Sequence, residues 1–261
     1  MNDSQNNLSQ NLPSEIQKAL DEASKDLKAS PLSELPLHSI QKLFDLSEIA
    51  LADKSRSFFL ELANITISRV IDKWQLPLFW YSKGDPEFDY WEDLPATLLI
   101  KAKQDLPLND TLIVELNHLE EVDSLTGQYD PSPYFHSWLV FSLTLQLLRA
   151  KFYDYSYERM LGREFFKYTS EHSLEEVNTS VDFATLTSVV YAGGVWVPQN
   201  TDDWWYSNET DSWITKNESW YTEDDNWGMW ERRDIYAAAK RFEFWNWWLN
   251  EAFILAWNTV G

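Results

Sequence analysis

The chain of 261 residues has no cysteine, which excludes a disulfide framework, a thiolate nucleophile, a zinc knuckle and a cysteine-held iron–sulfur cluster. Basic side chains are scarce too: 21 Lys and Arg stand against 42 Asp and Glu, a formal charge of −21. So anionic a molecule is repelled by phosphate backbones and anionic lipid, so neither nucleic acid nor membrane is an expected partner. Glycine occurs only at positions 84, 127, 162, 193, 194, 228 and 261, and none of these spacings makes a G-x-G-x-x-G turn or a P-loop. The four His are scattered, and there is no H-E-x-x-H, no G-x-S-x-G elbow and no EF-hand loop. Neither a metal nor a cofactor is expected. The charge-free run from Tyr134 to Leu148 falls short of the roughly 20 apolar residues a membrane span needs, and it contains His136, Ser142, Thr144 and Gln146. Met1 to Gln10 show no basic stretch followed by an apolar one, so no secretory signal is expected and a reducing, cytoplasmic setting fits. The Asn-x-Ser/Thr triplets at Asn2, Asn7, Asn64, Asn109, Asn178, Asn208 and Asn217 then read as products of composition rather than glycan acceptors.

What the chain has is apolar and aromatic mass, 44% hydrophobic and 16% aromatic, enough for a globular core. Residues 1–12, rich in Asn, Gln and Ser, cannot bury enough to offset the entropy of ordering and predict a disordered tail. Residues 13–261 read as one mainly α-helical domain. Ile16, Ala19, Leu20, Ala23 and Leu27 recur at helical spacing between Ser14 and Ala29, closed by Ser30-Pro31. Pro36 opens a second helix through Ile40, Leu43, Phe44, Leu46, Ile49 and Ala50, with a break near Asp53-Lys54. A third is expected over Ser55 to Trp74, with Phe58, Phe59, Leu62, Ile65 and Val70 inward. Residues 75–95 read as a loop packed by its own rings, followed by helices over Leu94–Lys103 and Asp110–Val122.

Two stretches are ambiguous or unusual. Phe141 to Leu147 alternates strictly as a strand does, yet its parent run is long and rich in Leu, Gln, Arg and Ala, so helix is preferred with strand held open. From Pro198 to Glu231 the carboxylates Asp202, Asp203, Glu209, Asp211, Glu218, Glu223, Asp224, Asp225 and Glu231 face the single base Lys216, interleaved with Trp204, Trp205, Trp213, Trp220, Trp227 and Trp230. A long loop of this kind is normally functional, and so many indoles argue against disorder. Its rings either dock on their own domain or anchor a partner. A helix from about Val181 ends at Gly193-Gly194, and a last helix is expected from Arg232 to Val260.

Three functions fit these residues. Paired carboxylates beside Trp rings are the ingredients of a glycoside hydrolase, and the rings alone suit a carbohydrate-binding module. His118 with Glu115 or Glu121, and His172 with Glu175, are better read as solvated residues than as catalytic pairs. The third function is binding of a basic protein: negative charge accelerates encounter with a cationic surface, and Trp and Tyr anchor interfaces. Its contact residues would be Asp202, Asp203, Trp204, Trp205, Asp211, Trp213, Trp220, Asp224, Asp225 and Trp227.

Tyr191-Ala-Gly-Gly194 with Trp196, then Lys240-Arg-Phe-Glu-Phe-Trp-Asn-Trp-Trp-Leu-Asn-Glu-Ala252 and Trp257, resembles the C-terminal end of a family of bacterial immunity proteins. In that family an Ala-Gly-Gly stretch precedes a Phe-Trp-x-Trp/Tyr-Trp/Tyr-Leu-x-Glu-Ala helix. The likeness spans about residues 180–257, and the connection here between Gly-Gly and the last helix is longer than the family's. The resemblance implies a helical, cytoplasmic, non-enzymatic protein encoded beside a polymorphic toxin, whose basic toxin domain it binds and neutralises. It does not locate the binding surface.

Overall fold

The computed structural model describes residues 12–30, 33–74, 88–127, 135–163, 181–192, 196–198, 204–207, 212–215, 230–232 and 238–260. All of the expected tail but Leu12, the rings of residues 75–87 and most of the acidic stretch lie outside them. The chain is mainly helical. In order come α1 (Ser14–Ala29), α2 (Leu37–Leu51), α3 (Ser55–Ser68), α4 (Phe88–Glu92), α5 (Leu94–Lys103), α6 (Asp110–Gly127), α7 (Phe135–Ala150), α8 (Asp154–Met160) and α9 (Phe183–Ala192). Among the described residues short strands follow, β1 (Trp196–Pro198), β2 (Trp204–Ser207), β3 (Ser212–Thr215) and β4 (Trp230–Arg232), then α10 (Ala238–Trp247), a π-helical turn (Trp248–Ala252) and α11 (Phe253–Val260). Among the described residues, no helix is long and apolar enough to cross a membrane. The chain divides into two compact units, one formed by Met1–Arg69 with Ile235–Gly261 and the other by Val70–Asp234.

In the first unit, prolines set the boundaries. Pro13 and Pro36 precede α1 and α2, where a missing N–H costs nothing, and a 3-10 turn over Ala52–Lys54 makes the break expected there. α1 buries Ile16, Ala19, Leu20, Ala23 and Leu27, the stripe its spacing predicted. Lys42 on α2 reaches Glu22 on α1 at 2.5 Å, and this ammonium holds the exposed Glu22 carboxyl below its usual range. α3 ends at Ser68, earlier than expected, and it buries Ile67 where Ile65 was expected. Asn64 is 3% exposed and Thr66 fully buried, so that triplet is no glycan acceptor in this fold.

The last helical segment starts at Ala238 rather than Arg232, because Arg232 belongs to β4. It carries Phe244, Trp245, Trp248, Leu249, Ala252, Phe253, Ala256 and Trp257 into the core, with Lys240, Glu243, Asn246, Asn250 and Glu251 on the exposed stripe. Its rings meet α2 and α3 edge to face: Phe44 with Trp248 at 6.4 Å, Phe58 with Phe253 at 5.2 Å, Phe58 with Trp257 at 5.5 Å. Such pairs add about 0.5–1.5 kcal/mol each beyond the area they bury. At the π turn, the Trp248 indole donates to the Thr66 hydroxyl at 3.1 Å, and Thr66 donates to the Leu62 carbonyl at 2.6 Å.

In the second unit α7 is central, packed by α5, α6, α8 and α9. This resolves residues 134–148 as helix over its described part, from Phe135, and explains their composition. A helix with neighbours on several sides is apolar around most of its circumference, so its sequence lacks a clean 3.6 period. The polar residues within it are satisfied locally: Thr144 donates to the Phe141 carbonyl at 2.9 Å and Ser142 to Asp123 at 3.2 Å. Arg149, near the C-terminal end of α7, ties three helices. It pairs with Glu120 of α6 at 2.8 Å, donates to the Leu116 carbonyl at 3.3 Å and to Ser156 of α8 at 3.4 Å. Lys101 of α5 pairs with Glu115 of α6 at 2.6 Å.

Candidate functional site

The acidic, Trp-rich stretch read as loop contains paired backbone. β1 and β4 run antiparallel, with Trp196 opposite Arg232, Val197 opposite Glu231 and Pro198 opposite Trp230, so the two ends of the 198–231 insertion meet. Inside it, β2 and β3 form a second antiparallel ladder pairing Trp204 with Thr215, Trp205 with Ile214, Tyr206 with Trp213 and Ser207 with Ser212. The cause is local. Trp, Tyr, Ile and Thr favour extended backbone, and Asn208-Glu-Thr-Asp211 has the length and composition of a hairpin connection. Side chains alternate along a strand and opposed residues share a face, so positions 204, 206, 213 and 215 fall on one face, and 205, 207, 212 and 214 on the other. Of the expected contact residues, register thus places Trp204 and Trp213 on one face and Trp205 on the other. Asp202, Asp203, Asp211, Trp220, Asp224, Asp225 and Trp227 lie outside the described residues.

Of the histidines whose side chains are described, His38 and His118, neither gives a catalytic geometry. His118 is exposed on α6, and His38 is exposed 3.7 Å from Asp26. His172 lies outside the described residues. Among the described residues, no cluster of three His, Asp or Glu could hold a metal ion.

Two carboxyls not singled out in the sequence are withdrawn from water. Asp182 is fully buried as the N-cap of α9. It accepts from the backbone N–H groups of Ala184 at 2.9 Å and Thr185 at 3.0 Å, and from the Thr185 hydroxyl at 2.7 Å. Burial pushes its carboxyl above the usual range, and the three donors only partly offset that. This is a saturated structural cap, and an Asp three residues before Thr185 at a helix start is a signal the sequence did carry.

Gly162 packs against it. The end of α8 closes as a Schellman turn, with Gly162 N–H donating to the Arg159 carbonyl at 3.1 Å and Arg163 N–H to the Glu158 carbonyl at 3.0 Å. Gly162 sits at φ +71°, and a Cβ there would lie 2.9 Å from the Asp182 backbone nitrogen. Gly162→Ala is therefore expected to destabilise this unit by about 2 kcal/mol or more, from the left-handed conformation plus the clash. Chemical unfolding checks this, and an unshifted midpoint would refute the close approach.

Asp123 is the other carboxyl, largely buried on the last turns of α6 against α7. Burial pushes its pKa up to about 6; the Ser142 hydroxyl, Arg159 and the Trp138 indole pull it down, and Glu120 adds a smaller upward push.

A scan against family models finds no match for this chain, and neither the curated proteins nor the solved structures provide a similar one.

Proposed function

We propose that this chain is a bacterial immunity protein that binds a cognate basic toxin domain, occludes its site and makes no bond of its own. The observation that carries the reading is the pair of nested ladders within the acidic stretch. β1 and β4 join the ends of the insertion, and β2 with β3 sets three aromatic positions, Trp204, Tyr206 and Trp213, on one face. Aromatic residues on a hairpin are low-entropy anchors for an interface, and the carboxylates that flank them in sequence, with an overall charge of −21, would steer a cationic partner toward them. The likeness of the last helix to that of immunity proteins points the same way.

Charge steering acts on encounter. Replacing Asp202, Asp203, Asp224 and Asp225 together by Asn is expected to slow association with the toxin domain roughly tenfold at low salt, with little change in dissociation. Stopped-flow mixing at several ionic strengths reads both rates. An unchanged association rate removes this segment from the interface. The same aromatic positions also suit a sugar, so a carbohydrate-binding protein or glycoside hydrolase is the second reading. Reducing-sugar release abolished by one carboxylate substitution, or an indole fluorescence shift with a polysaccharide, would favour it.

A further inference from the structure

α6 carries its apolar seam at Leu112, Leu116 and Leu119, which are 7%, 0% and 0% exposed. The next position in the same four-three-four spacing is Asp123. A carboxyl thus occupies a seam position where the C-terminal half of α6 lies against α7, with Oδ1 shut off from water and Oδ2 accepting from Ser142. We propose that Asp123 makes the docking of α6 on α7 proton-dependent, so that its last two turns pack tightly when the carboxyl is neutral and loosen when it ionises.

The charged surroundings do not cancel the ionised form. On α6 itself, Glu120 repels it, and Glu120 is engaged by Arg149 of α7 at 2.8 Å. From α7 it is faced by Ser142 and Trp138, and from α8 by Arg159, which attracts it more weakly than burial disfavours it. Asp123 is also close to the C-terminal end of α6, where unpaired carbonyls add negative potential. A neutral acid at the same place can still accept from Ser142, so protonation removes the desolvation penalty and leaves the hydrogen bond in place.

Amide hydrogen exchange on the intact chain tests this. After correction for intrinsic rates, amides of residues 119–127 are expected to lose protection roughly tenfold or more between pH 5 and pH 7.5, while those of α3 lose less. Asp123→Asn should abolish the difference at residues 119–127. Equal pH dependence in the two proteins would overturn the proposal. A second measurement needs no variant: the carboxyl carbon resonance of Asp123 should titrate near pH 6 together with the α6 amides, and a midpoint near 4 would overturn it equally.

Discussion

Trp248→Ala is expected to lower the stability of the unit built from both chain ends by about 3–5 kcal/mol, the cost of removing a large buried ring from a packed core. The indole is fully buried, lies 6.4 Å from Phe44, 5.7 Å from Trp245 and 5.9 Å from Phe253, and donates to Thr66. Trp248→Phe separates the two contributions. It keeps most of the ring and loses the hydrogen bond, but Thr66 still donates to the Leu62 carbonyl, so no buried hydroxyl is left without a partner. The phenylalanine variant should therefore cost only about 1–2 kcal/mol. Guanidinium unfolding followed by circular dichroism gives both values. If Ala and Phe cost the same, ring packing is not what holds the π turn against α3.

The second large effect depends on pH. Asp123 has its folded pKa raised to about 6 from an ordinary 3.8, so between these values the folded chain binds this proton more tightly than the unfolded chain. Its contribution to stability is therefore present below about pH 4 and is lost as pH rises through about 6. The shift of roughly two units corresponds to about 3 kcal/mol. Asp123→Asn should match the original protein near pH 4 and exceed it by up to that amount above pH 7. Taking the difference between the two proteins removes the general gain on acidification that any chain of charge −21 shows, and also the rise in the Asp182 pKa, which both share. A constant difference from pH 4 to pH 7 would refute the assignment.

Helix edges marked by proline were legible from sequence. Pro13 and Pro36 open α1 and α2 because the ring fixes φ and removes a donor, an effect that needs no tertiary context, and α1 closes at Ser30 as expected. The alternation in α7 misleads because a helix enclosed by α5, α6, α8 and α9 has little polar face to mark its period. α8 escaped notice since it is only Asp154–Met160 and is held by burial of Tyr157 and Met160. The start of α10 was misplaced because Trp230–Arg232 pairs with Trp196–Pro198, a contact that sequence spacing does not announce. β2 and β3 are hidden by reading the whole acidic stretch as loop, where the signal is Trp, Tyr and Ile on either side of the short polar sequence Asn208-Glu-Thr-Asp211.

The candidate site was legible in kind more than in place. Composition marked the 198–231 stretch, and register gathers Trp204, Tyr206 and Trp213, but carboxylate spacing along the chain says nothing of which acids share a surface. Asp123 shows the converse. Its spacing from Leu112, Leu116 and Leu119 was there to be read, and only the packing of α6 on α7 gives that spacing its electrostatic meaning.

The decisive measurement is growth of a bacterial host expressing the proposed cognate toxin, taken as the C-terminal domain of the protein that the neighbouring upstream gene encodes, with and without the chain itself. An immunity protein restores growth and co-purifies with that domain. Growth arrest that is the same in the presence and absence of the chain, at equal toxin levels, would contradict a neutralising role.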